Sequence, residues 1–228
     1  MSEVKRAVLL VGSPREKSSS GSIGTYLMEK IQSHGGWEYE IIRVHISVRD
    51  EEEIGKLLEA TDQADLVVLS FPLYVDCLPA PVTEALELIE NHRRAHRPGK
   101  KQRFLAITNC GFPESEHTAV CLDICRQFAF EAGFEYAGGL GMGMGEMIQG
   151  KELDKAGGVV WSVRKALNEV AEALVEGKPI PQESKDLFGR RLIPIFWYTY
   201  AGSQGWKSRA KKYGTINKLR DRPYAERG

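Results

Sequence analysis

The chain has 228 residues, with 31 lysines and arginines against 31 aspartates and glutamates, so it carries no net charge that would steer it as a whole to nucleic acid or a membrane. Its apolar and charged fractions are those of an ordinary globular domain. No window approaches the ~20 apolar residues of a membrane span, the four cysteines fit a reducing compartment, and the N-terminus lacks a secretory-signal pattern, so a cytoplasmic protein is expected.

The run Val4 to Val11 reads as a strand buried on both faces, emptying into Gly12-Ser13-Pro14-Arg15 and the hydroxyls of Ser18, Ser19, Ser20 and Ser22. A periodic segment holding Ile23, Tyr26, Leu27 and Ile31 follows as a helix whose N-terminus points back at the loop. Free N–H groups, hydroxyls and one guanidinium then converge on a small space suited to an anion. The loop lacks the Gly-x-x-x-x-Gly-Lys-Ser/Thr of a nucleoside-triphosphate site, the Gly-x-Gly-x-x-Gly of a dinucleotide site and the cysteine of a thiol phosphatase. Its inventory suits the terminal phosphate of a mononucleotide; the competing reading is a serine-rich turn that caps a helix.

Trp37 to Val44 reads as a second strand. Asp50 and Glu53 form a capping box ahead of a helix with Ile54, Leu57, Leu58 and Thr61. Asp65 to Phe71 is a third, buried strand. It leads into a proline-framed loop with Tyr74 at its centre, and Pro79 and Pro81 open a helix carrying Val82, Ala85, Leu86 and Ile89. His92 and His96, one turn apart among Arg93, Arg94 and Arg97, read as a solvated basic helix end rather than a metal pair. Phe104 to Thr108 makes a fourth strand, followed by a loop with Gly111 and Phe112. Residues 117–132 make a helix whose apolar stripe is expected to hold Val120, Cys121, Ile124, Cys125 and Phe128. Phe134 to Met142 is a Gly-rich fifth strand. The alternating glycines and methionines of 139–147 read either as a pliable apolar wall for a planar substrate or as tight packing at the sheet edge. Val159 to Leu174 forms a long amphipathic helix.

Pro179 and Pro181 mark a boundary between a domain of residues 1–178 and an extension of 179–228. The extension is apolar over Arg190 to Ala201, with Phe196, Trp197, Tyr198 and Tyr200, and continues as a basic tail with Trp206, Tyr213 and Tyr224. From Lys207 to Arg227 there are eight basic and two acidic residues, net +6, which leaves −6 on residues 1–206. The tail reads as a solvated arm that offsets the acidic body of a partner subunit, in preference to one that reaches an anionic cofactor or nucleic acid.

Five strands alternating with five helices imply a parallel α/β sheet covered on both faces. Ligands of such sheets bind beyond the carboxyl ends of the strands, which directs attention to the loops after strands one, three, four and five. A flat heteroaromatic ligand would lie between the Tyr74 and Phe112 loops, although each loop alone also reads as an ordinary strand-to-helix turn.

Taken in order and spacing, Gly12-Ser13-Pro14-Arg15 with its serines, Pro72-Leu73-Tyr74 and Asn109-Cys110-Gly111-Phe112 resemble the flavodoxin-like NAD(P)H-dependent FMN reductase family, over roughly residues 4–175. The resemblance implies a five-stranded sheet of order 2-1-3-4-5 and FMN held at the strand ends. It also implies NADPH or NADH as co-substrate, and a homodimer or homotetramer with the flavin near a subunit boundary. Carried over, Ser13, Arg15, Ser18, Ser20 and Ser22 would hold the phosphate, Pro72, Leu73, Tyr74 and Val75 would line the isoalloxazine, and Asn109, Cys110, Gly111 and Phe112 would take its pyrimidine side. Backbone N–H groups around Cys110 and Gly111 would support negative charge on the reduced ring. The flavin would carry the chemistry, with no catalytic side chain and no metal, and the acceptor would be a quinone, flavin or nitroaromatic. The rivals are a flavodoxin-like electron carrier without a nicotinamide site and a flavin-free interaction module.

Overall fold

The computed structural model describes residues 4–96 and 98–222. Arg97, Tyr224 and Arg227, named above, lie outside the described residues.

Five strands, β1 (Lys5–Val11), β2 (Trp37–Arg43), β3 (Leu66–Pro72), β4 (Arg103–Asn109) and β5 (Glu135–Met142), form one parallel sheet of order β2-β1-β3-β4-β5. This is the order that the resemblance implies. Because side chains alternate across a strand, the apolar runs feed two cores at once. Leu9, Val11, Val68, Leu105 and Ile107 face one side, where α1 (Ser19–Ser33) and α6 (Trp161–Val175) cover them. Val8, Leu10, Val67, Leu69 and Phe104 face the other, against α3 (Glu51–Gln63), α4 (Ala80–Ala95) and α5 (Ala119–Glu131). A one-turn helix α2 (Val44–Ser47) closes β2, and α7 (Gln182–Gly189) packs on α6 and β5.

Local chemistry explains the helix starts. The Asp50 carboxylate accepts from the Glu53 N–H at 3.0 Å, one half of the expected capping box, while the Glu53 carboxylate accepts from Lys56 Nζ at 2.6 Å instead of turning back to the cap, and Pro79 leads directly into α4.

Two expectations need correction. On α5 the buried stripe is Cys121, Cys125, Phe128 and Ala129, while Val120 is 62 % and Ile124 40 % exposed. Cys121, Cys125, Phe128 and Ala129 follow the i, i+4, i+7, i+8 spacing of one helix face, and Val120 and Ile124 each lie one residue, about 100°, off it. At the end of α4, Arg93 is buried, not solvated. Its Nε donates to the Ala132 carbonyl at 2.8 Å, its Nη1 to Gln102 Oε1 at 2.5 Å, and its guanidinium lies 3.8 Å from the Phe134 ring centroid. His92 is hydrogen-bonded to Asp62 at 2.7 Å and stacks on His96, and the described residues contain no group able to hold a metal ion.

The chain divides into two compact units, one up to Leu192 and one from Ile193 onward. Residues 179–192 pack with the first unit, where Ile180 and Phe188 are buried in the core and Ser184 donates to Glu169 at 2.7 Å. The second unit contains α8 (Ile195–Lys212) and a short turn at Ile216–Lys218. Among the described residues no helix is long and apolar enough to cross a membrane.

Candidate functional site

The carboxyl ends of β1, β3, β4 and β5 lie side by side, and backbone hydrogen bonds tie the loops that leave them. Gly12 donates to the Ser70 carbonyl at 2.8 Å, Leu73 to Asn109 at 2.9 Å and Cys110 to Met142 at 3.0 Å. Met144 donates to Phe112 at 2.7 Å and Gly145 to Cys110 at 2.8 Å. Side chains add a second layer. Asn109 Nδ2 donates to Ser20 Oγ at 2.9 Å, Ser70 Oγ to the Ser20 carbonyl at 2.8 Å and Ser19 Oγ to the Gly145 carbonyl at 2.7 Å. Four loops distant in sequence are thereby held as one body.

Within that body the serines take separate tasks. Ser18 is the extended N-cap of α1, its Oγ accepting from the Gly21 N–H at 3.1 Å. Ser13 is buried and accepts from the Arg15 N–H at 3.3 Å, a local turn within the loop. Ser20 is buried and engaged by Asn109, so it braces the site from beneath, and Ser22 Oγ returns to the Ser18 carbonyl at 3.1 Å. The N–H groups of Ser19 and Ser20, in the first turn, have no intrahelical acceptor. In the loop that precedes them the Arg15 side chain is exposed and has no hydrogen-bond or ion-pair partner among the described residues. The open donors at the N-terminus of this 15-residue helix carry partial positive charge, which suits an anion. Ser19, absent from the sequence-based set, owes its importance to a bond with residue 145 that no local pattern signals.

The two ring-bearing loops lie on adjacent strands, with Pro72 in register with Asn109. In the first, Tyr74 and Cys77 exchange backbone hydrogen bonds of 2.9 and 3.1 Å across Val75 and Asp76, which sit at φ 50° and 57°. That is a two-residue turn of type I′, normally built from Asn and Gly, and a β-branched residue there is strained. The turn lifts Val75 to the tip and leaves Tyr74 half-exposed, while Leu73 packs against the core. In the second loop, Asn109 and Cys110 are buried and Phe112 is exposed, its ring 4.6 Å from that of His117. Burial raises the Cys110 thiol above its ordinary pKa, and its sulfur faces the Phe112 and Glu114 carbonyls at 3.8 and 3.6 Å, an inert arrangement. The Cys110 N–H is spent on Met142, which corrects the expectation that it would face a ligand. The Glu146 side chain covers Gly111, approaching the position of a Cβ there to 3.7 Å.

The glycine and methionine run resolves as tight packing. A Cβ at Gly141 would lie 2.0 Å from Thr118 Oγ1, one at Gly143 2.5 Å from the Pro113 carbonyl oxygen, and one at Gly145 2.6 Å from Asn109 Oδ1. Met142 and Met144 are fully buried. On the β2 side of α1, a separate cavity of about 260 Å³ is lined by Lys17, Ser22, Tyr26, Arg43 and Asp154 among others, and it reaches Ser18.

A family model described as NADPH-dependent FMN reductase matches residues 6–122. No curated protein matches the chain. Among solved structures, the apo form of an NADH:FMN oxidoreductase aligns with a TM-score of 0.57 at 15 % identity, over 79 % of this chain and 94 % of that one. The NAD(P)H:quinone oxidoreductase from Methanothermobacter marburgensis aligns at 0.55 and 14 % identity, over 76 % and 96 %. The Streptococcus pneumonia TIGR4 flavodoxin aligns at 0.53 and 13 % identity, over 75 % and 99 %. At such identities the likeness is one of fold.

Proposed function

The chain belongs to the NADPH-dependent FMN reductase family of oxidoreductases, and from that premise we propose that it holds FMN at the ends of β1, β3 and β4. We further propose that it uses NADPH or NADH to reduce a small acceptor such as a quinone, a flavin or a nitroaromatic. When bound, FMN supplies the redox chemistry, taking a hydride from the nicotinamide and passing electrons to the acceptor. The observation that supports this reading is an exposed Arg15, without a hydrogen-bond or ion-pair partner among the described residues, in the loop that leads into the open N-terminus of α1, together with two loops on neighbouring strands that each present an exposed aromatic ring.

In this reading Arg15, Ser13 and Ser18 hold the phosphate with the N–H groups of Ser19 and Ser20. Ser20 and Asn109 fix the distance between the phosphate seat and the ring loops. Pro72, Leu73, Tyr74 and Val75 shape one wall, and Gly111 and Phe112 the pyrimidine side. Cys110 is not placed for nucleophilic work, since it is buried with a raised pKa. Four free thiols fit a reducing cytoplasm.

The test is spectroscopic. Purified protein given excess FMN and desalted should keep a flavin spectrum that bleaches anaerobically with NADPH or NADH. Arg15→Ala should weaken FMN binding by about 10- to 100-fold, the loss of one charge-assisted hydrogen bond to phosphate. A variant that retains flavin as wild type does would remove the phosphate assignment. The net −6 of residues 1–192 favours a second reading, an electron carrier that docks on basic partners. Retained flavin without bleaching would support it.

A further inference from the structure

We propose that Glu146 sets the redox poise of the site: its carboxylate, held against Gly111, weakens the hold on reduced FMN relative to oxidised FMN and so makes the bound electrons more strongly reducing. This inference rests on the FMN reading above and deepens it.

The backbone on either side fixes where Glu146 stands. The residues before it are clamped to the second ring loop, Met144 donating to the Phe112 carbonyl at 2.7 Å and Gly145 to that of Cys110 at 2.8 Å, while Ser19 Oγ donates to the Gly145 carbonyl at 2.7 Å. After it, the Met147 N–H closes a tight turn on the Met144 carbonyl at 2.9 Å. Neither Gly143 nor Gly145 has room for a Cβ, so the loop is packed without slack. From that anchored turn the Glu146 side chain reaches back over Gly111, its Cγ, Cδ and Oε1 lying 3.9, 3.8 and 3.7 Å from where a Cβ would stand there. Glu146 is exposed, and its carboxylate has no hydrogen-bond or ion-pair partner among the described residues.

Charge decides what this carboxylate does. A hydride brings the flavin ring two electrons and one proton, so the ring gains one negative charge, carried largely by its pyrimidine half. Gly111 and Phe112 take that half in the reading above, which sets Glu146 beside the gained charge. Other carboxylates already make the field there negative. Asp76 and Glu114 lie close enough to Cys110 to add to the burial that raises its thiol pKa. The groups of opposite sign are Arg191, 3.9 Å from Glu114, and His117, whose ring stacks on that of Phe112. The Cys110 N–H, a donor that would have opposed the field, is bonded to Met142. The site is therefore polar from end to end, with helix N–H groups and Arg15 toward the phosphate and carboxylates toward the ring. Such a seat suits the oxidised molecule, whose charge is all on its phosphate, better than the reduced one.

Titration of the full chain, stripped of flavin, with oxidised FMN and with dithionite-reduced FMN under argon tests this without turnover. Glu146→Gln keeps the shape and removes the charge. It should tighten the hold on reduced FMN about tenfold and leave that on oxidised FMN within about twofold. Bound flavin then becomes easier to reduce by about 30 mV, the equivalent of tenfold in a two-electron equilibrium, which equilibration with a reference dye reads independently. Glu146→Asp keeps the charge and should stay within about twofold of wild type. So should Glu38→Gln, an equal loss of charge at the amino end of β2, the far end of the sheet. Oxidised FMN retained, with a ratio of the two affinities that Glu146→Gln leaves unmoved or shifts the other way, would overturn this inference and spare the FMN reading. A ratio moved equally by Glu38→Gln would overturn it as well. A wild-type chain that holds neither form of FMN would remove both.

Discussion

Asn109 and Ser20 show what single residues contribute here. Asparagine at the end of β4 looks like a candidate ligand contact, yet its amide is buried and spans 89 positions of sequence to reach Ser20. Asn109→Ala strands a buried hydroxyl and should cost about 1–3 kcal/mol in urea unfolding, with FMN affinity falling in parallel. The cysteines separate sharply. Burial raises the thiols of Cys110 and Cys125, and that of Cys121 to about 11, while Cys77 is exposed. A thiol reagent near neutral pH should label Cys77 alone in the folded protein and all four after denaturation, read by mass spectrometry. His45 works in the opposite sense. Desolvation, with Arg49 and Arg43 nearby, holds its pKa below 6.5, and its Nδ1 is buried without a hydrogen-bond partner among the described residues. The unfolded chain therefore takes up the proton first as the solution is acidified. Stability from this group is full above pH 6.5 and is lost as pH falls from there toward the lowered folded-state value. His45→Gln should flatten that acid limb of the stability profile.

Elements were largely legible from periodicity, and the exceptions share a cause. Strands buried on both faces advertise themselves as unbroken apolar runs, and Asp50 with Glu53 marked a helix start through local bonding alone. The facing of α5 was misjudged because apolar residues surround that helix, so the choice between Val120 and Cys121 rests on what lies across from it. Arg93 was read as solvated because charge predicts exposure; only the Ala132 carbonyl, Gln102 and the Phe134 ring, all remote in sequence, make burial tolerable. Of the site, the serines and Arg15 were visible as chemistry, but their division between phosphate seat and brace depends on long-range partners. The turn after β3 offers a test at this scale. Val75 and Asp76 occupy positions where Asn and Gly are at ease, and Val75→Asn with Asp76→Gly should stabilise the protein by about 1–3 kcal/mol by relieving that strain. A Tm that does not rise would show that the turn carries no strain.

At the scale of the whole molecule, the boundary after Leu192 is where packing and the sign of the charge both change. Arg190 and Arg191 are exposed beside it. Limited trypsin treatment should cut there first and leave a fragment ending at one of these arginines, identifiable by mass; early cuts spread through residues 1–189 would contradict the division. The first unit has its own consequence for supply and turnover. Its four loops are already tied by Asn109, Ser19 and the backbone bonds between them, so a flavin would find a finished seat and little chain would need ordering on arrival. First units made while flavin is scarce would then fold fully and wait as a reserve able to take up flavin, without new synthesis, when it returns.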